Sequence, residues 1–126
     1  MKVKMTRDEV NAGRLIPNGW YKGVIENAED GESNSGNAML TVDIKVIGHP
    51  EYAGVTCRDW LGSWFRGADK FRRFIETLTG APYDYNKEYN LTNDSLKGKQ
   101  ILFYNAQSTD DKGQPVNSVQ DYKKME

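Results

Sequence analysis

The segment from Arg58 to Arg73, RDWLGSWFRGADKFRR, interleaves Trp60, Trp64, Phe65 and Phe71 with Arg58, Arg66, Lys70, Arg72 and Arg73. Only Asp59 and Asp69 oppose these five basic residues. Aromatic rings beside cations suit a groove that stacks bases and holds phosphates. The same residue types also fill cores and solvate surfaces, so the elements that carry them decide between the two readings.

The residues argue poorly for catalysis. The one histidine, His49, stands beside Pro50 in a turn, and the one cysteine, Cys57, falls in the apolar phase of a strand. The first reads as structural and the second as a small buried core residue. No zinc-type cysteine spacing and no internal disulfide can be built. Glu26, Glu29, Asp30 and Glu32 cluster around a turn, where solvated charge is the ordinary explanation. Gly62 to Gly67 and Gly31 to Gly36 both fit the spacing of a phosphate-binding loop. Neither is followed by Lys-Ser or Lys-Thr, which removes the nucleotide-hydrolase reading. No enzyme activity, cofactor or metal is expected.

The 126 residues fit one domain, able to bury about two thirds of its unfolded surface. Charged residues make up 28% against 37% hydrophobic, and net charge is −1. The estimated pI of 5.9 argues against a histone-like positive sheath. It leaves room for a local basic groove. The N-terminus lacks the apolar core of a signal peptide, and no run reaches membrane-spanning length. A cytoplasmic, membrane-free setting follows as the expectation, which makes the sequons at Asn90 and Asn93 chance matches.

Residues 1–15 have weak periodicity and read as an arm or lead-in. Trp20 to Ala28 is the first predicted strand, followed by a turn cluster from Asp30 to Asn37. In Met39 to Ile47, Leu40, Val42, Ile44 and Val46 alternate with Thr41, Asp43 and Lys45, the period of a half-buried strand. Val55 to Leu61 supplies a third strand, on which inward Val55, Cys57 and Leu61 turn Thr56, Arg58 and Trp60 outward. Phe71, Phe74, Ile75 and Leu78 then follow the spacing of one helix face, with Gly67 or Asp69 at its start and Gly80 at its end. Lys70, Arg72 and Arg73 fall on or near its solvent side. After a polar stretch from Ala81 to Gly98 come strands at Lys99 to Ala106 and Val116 to Tyr122.

Three strands, a helix and two strands match a mostly β, five-stranded OB-like barrel with its helix between strands three and four. An SH3-like barrel and a small α+β sheet share that order. In the barrel, ligand lies across strands two and three, flanked by the first and last hairpin loops. Lys45, Arg58 and Trp60 are outward there, with Lys22 on strand one and Lys112 in the last loop. Trp60 leads the stacking candidates. Trp64 and Phe65 follow, with Arg66 as a cation beside them, and Trp20 and Tyr104 complete the aromatic set.

The patterns Ile16-Pro-Asn-Gly-Trp-Tyr21, Ile25-Glu-Asn-Ala-Glu29, Ser35-Gly-Asn-Ala-Met-Leu40 and Tyr52-Ala-Gly54 resemble small phage proteins that accompany replication and recombination genes. The resemblance covers about residues 15 to 80. It implies a single-stranded DNA-binding protein of OB type and names no contact residues. Many such proteins end in an acidic tail that recruits partner enzymes, whereas this chain ends Gln120-Asp-Tyr-Lys-Lys-Met-Glu126.

The expected function is sequence-independent binding of single-stranded DNA in phage replication or recombination. Its partners would be single-stranded DNA, phage or host replication and recombination proteins, and a second copy in a homodimer. The rivals are a phage protein-interaction module acting on a host enzyme and a metal-dependent nuclease.

Overall fold

A computed structural model describes residues 1–64 and 67–125. In chain order, the short helix α1 (Arg7–Asn11) precedes β1 (Gly19–Glu32), β2 (Ala38–Val46) and β3 (Thr56–Gly62). Helix α2 (Gly67–Thr79) and the single turn α3 (Asn93–Leu96) separate these from β4 (Gln100–Thr109) and β5 (Pro115–Lys123). No described helix is long and apolar enough to cross a membrane.

The alternation in β2 does what its period demands. Leu40, Val42, Ile44 and Val46 are buried, and the residues between them are half-buried. The five strands form one antiparallel sheet in the order β3-β2-β1-β4-β5. Its inner face meets α2 through Phe74 and Ile75, with Phe71 and Leu78 packed at the margin, as the helix stripe requires. Gly80 ends α2 in the left-handed region at φ 71°, and its N–H reaches the Glu76 carbonyl at 2.9 Å.

The backbone ladder leaves β3 and β5 as edges, so the sheet is not closed by main-chain pairing. Side chains span the gap instead. Asp59 of β3 is 4% exposed and accepts from the Tyr122 hydroxyl of β5 at 2.6 Å. Its other oxygen takes the Lys70 ammonium at 2.8 Å and the Trp60 N–H at 2.9 Å. Lys70 also donates to the Val119 carbonyl at 3.2 Å, tying α2 into the same junction. Burial pushes the Asp59 carboxyl upward against the pull of Lys70 and the Tyr122 hydroxyl. Burial, reinforced by Asp59, likewise raises the Tyr122 phenol well above its ordinary value. Lys70, expected toward solvent, is therefore committed to a buried carboxylate.

Other expectations shift as well. The first turn is shorter than the Asp30–Asn37 cluster, because Asp30, Gly31 and Glu32 stay paired with Leu40, Met39 and Ala38. The lead-in is docked rather than free. Asn11, 2% exposed, donates to the carbonyls of Ala53 at 2.7 Å and Glu51 at 3.2 Å. Asn117 of β5 then clips the following residues, accepting from Ile16 N–H at 3.0 Å and donating to the Arg14 carbonyl at 2.8 Å. The polar stretch contains α3, held by a Thr92–Ser95 capping box and anchored by buried Leu96.

Candidate nucleic-acid interface

Side chains alternate along β3, so Cys57, Asp59 and Leu61 enter the core while Arg58 and Trp60 face outward. Trp60 is 55% exposed. The next outward position is Gly62, and the Trp64 ring fills the space its side chain would occupy. An added Cβ there would stand 1.8 Å from Trp64 Cζ3. The chain thus folds back at Ser63 and lays a second indole on the same face as Trp60. The two positions are one side-chain repeat apart, about 7 Å along the strand. Trp64 keeps 36% of its surface exposed.

Beside Trp60 lies a cleft of about 430 Å³. Thr56, Arg58 and Trp60 form one side, Gly13 and Leu15 of the docked lead-in another, and Asp110 and Val116 of the β4–β5 hairpin the third. The β4–β5 turn presents Asp110 to this cleft. Lys112 is exposed in that turn and does not line the cleft.

Electrostatics depart further from the reading of the basic segment. Arg58 Nε pairs with Asp43 at 2.7 Å, and that carboxylate is the main cause holding the guanidinium pKa above its ordinary value. Lys45 meets Glu26 at 3.3 Å and Asp8 at 3.4 Å, with Glu26 the leading cause of its raised pKa. Arg72 is held by Asp69 and Glu76, and Arg73 by Asp121 at 2.5 Å and by Asp69. Every described cation of the segment therefore has a carboxylate partner. Phe65 and Arg66 lie outside the described residues.

No family model matches this chain, and no curated protein matches it.

The expected site residues divide between two surfaces. Lys45, Arg58, Trp60 and Trp64 share the outward face of β2 and β3. Lys22 does not join them: it stands opposite Leu102 of β4, while the row through Arg58 crosses Asp43 and Asn27. Its neighbours are Trp20 and Tyr104, whose rings meet edge to face at 5.4 Å. Lys123 covers Trp20 from 4.4 Å. Tyr104 and Lys22 thus belong to a separate aromatic patch across β1, β4 and β5, because the β1–β4 register carries them away from β3.

His49 Nδ1 accepts from the N–H groups of Tyr52 at 3.0 Å and Glu51 at 3.1 Å, a turn-stabilising role. Burial pushes the Cys57 thiol up to about 12. Among the described residues no group of three His, Cys, Asp or Glu side chains is placed to hold a metal ion. Gly62 and Leu15 escaped the sequence reading. A glycine two residues before a tryptophan was the signal for the first.

Proposed function

We propose that this chain is a sequence-independent, non-catalytic single-stranded DNA-binding domain of OB type, serving phage replication or recombination. The observation that carries the reading is the pair of exposed indoles, Trp60 and Trp64, on the outward face of β3, with an open cleft beside Trp60. Supporting the OB assignment are the strand order, the helix between β3 and β4, and the side-chain bridge between the edge strands. Oligonucleotides on such folds lie over strands two and three between two hairpin loops, and the cleft here is lined by β3 and the β4–β5 hairpin. The resemblance of residues 15 to 80 to phage single-strand binders agrees with that assignment.

Because Arg58 and Lys45 are already paired, stacking supplies most of the affinity, at about 1–3 kcal/mol per base. Rings accept every base, so sequence matters little. Tryptophan fluorescence during titration with oligothymidylate tests the reading. Quenching with an affinity of micromolar or tighter is expected, with weaker binding to duplex. The log–log salt slope should correspond to one or two phosphates at about −0.7 each. Equal affinity for duplex and single strand at low salt refutes the proposal.

The neutralised cations favour one alternative, a protein-interaction module anchored by Trp60 and Arg58, residue types common at interface centres. Capture of a single host protein, with no oligonucleotide response, would select it.

A further inference from the structure

A cavity larger than the cleft beside Trp60 lies away from it. It is a groove of about 730 Å³ between α2 and the segment at residues 81–91. Tyr83 sits at its centre, 5.0 Å from the Tyr85 ring and 4.8 Å from the Tyr89 ring. Internal hydrogen bonds hold the segment that carries these rings. The Tyr83 N–H donates to Glu76 at 2.9 Å, and the Asp84 N–H donates to the Tyr89 hydroxyl at 3.0 Å. Tyr85 is 81% exposed, so one face of its ring is open to solvent. Lys87 holds its ammonium 5.1 Å from the Tyr89 ring centre and has no ion-pair partner among the described residues.

This groove comes near the indole pair at Ser63, although neither Trp60 nor Trp64 lines it. Ser63, the residue between Gly62 and Trp64, lines it. A second cleft of about 360 Å³ shares Ser63, Phe71 and Tyr89 with it and runs on to Met39. Met39 is the cross-strand partner of Gly62, the position on which Trp64 rests.

We propose that the tyrosine groove is a second base-stacking subsite, which receives the single strand after it leaves Trp64. The inference rests on the single-strand reading of the β3 face and extends it by a site the strand meets only when it is long enough. Tyr85 stacks a base on its open face, and Lys87 supplies the phosphate contact that the paired cations of β2 and β3 do not.

The test compares labelled oligothymidylates of about five and about fifteen nucleotides, spanning the site sizes of such domains. Binding is read by anisotropy for the unaltered protein, Tyr85→Ala and Trp60→Ala. The longer strand should bind the unaltered protein more tightly. Tyr85→Ala should weaken only the longer strand, by roughly five- to 150-fold if one base stack is lost. Trp60→Ala should weaken both. A length advantage that survives Tyr85→Ala, or no length advantage in the unaltered protein, overturns the subsite while leaving the β3 face standing. Failure of both oligonucleotides to bind removes the underlying reading instead. Aromatic grooves also accept proline-rich peptides, and saturable binding of a proline-rich decapeptide, lost in Tyr85→Ala while oligonucleotide binding persists, overturns the proposal in favour of a peptide site.

Discussion

Replacing Gly62 with alanine isolates the role of Trp64 without touching either indole. The new methyl carbon would lie 1.8 Å from Cζ3, 2.2 Å from Cη2 and 2.4 Å from Cε3 of that ring. Carbon atoms rest at roughly 3.5–4.0 Å, so the ring must withdraw by about 2 Å or swing away. The backbone does not resist the change, since Gly62 is outside the positive-φ glycines. The unfolded chain loses some freedom, which favours the fold by about 0.4–1 kcal/mol and offsets part of the lost ring contact. The fold should therefore persist while Trp64 leaves its seat. If Trp64 stacks a base, oligothymidylate affinity falls by about 1–3 kcal/mol, a factor of roughly 5 to 150. Anisotropy titrations of Gly62→Ala, Trp64→Ala and the double variant form a cycle whose coupling separates the explanations. The double variant should bind no worse than Trp64→Ala alone. Wild-type affinity in Gly62→Ala, or losses that add in the double variant, would refute the placement of Trp64 as a ligand-bearing ring.

Three further outcomes follow from other parts of the molecule. Trp60→Ala should cost about 1–3 kcal/mol of single-strand affinity with an unchanged far-ultraviolet circular dichroism spectrum; full affinity clears Trp60 of stacking. Tyr122→Phe leaves one oxygen of buried Asp59 without its donor and should lower unfolding free energy by about 1–3 kcal/mol in urea melts, whereas an unchanged midpoint denies the junction its role. Cys57, with its thiol raised to about 12 by burial, ionises first in the unfolded chain, near 8.5. Its share of stability is complete below that value and declines by about 1.4 kcal/mol per pH unit as pH climbs toward the folded value. Cys57→Ala should flatten that part of the alkaline decline, and an identical slope in the variant contradicts the assignment.

Much of this arrangement could be read from residue order, and the exceptions have physical reasons. The two-residue period of β3 placed Arg58 and Trp60 outward correctly. The same period put Asp59 inward between Cys57 and Leu61, an acid in an apolar phase that signals a buried partner. Which partners it finds depends on α2 and β5 arriving from 11 and 63 residues away, a tertiary fact. Strand β1 runs past its apolar stretch because cross-strand pairing with β2 outweighs the weak propensities of Asp30 and Gly31. The docked lead-in was hidden because Asn11 and Asn117 hold it by hydrogen bonds, which leave no periodic trace. At the site, ring identities were legible but their neutralising carboxylates were not, since Asp43 and Asp121 reach Arg58 and Arg73 only through strand register and helix packing. The tyrosines at 83, 85 and 89, crowded into an otherwise polar stretch, were a visible signal of the groove.

Main-chain hydrogen bonds join the four neighbouring strand pairs of the sheet, and the side chains of Asp59, Tyr122 and Lys70 link its two edge strands. Heat or denaturant should part the molecule along that line first, baring two unpaired strand margins that invite a neighbouring chain to add its own. The polar junction that links the two edge strands thus also marks where self-association of the stressed protein would begin.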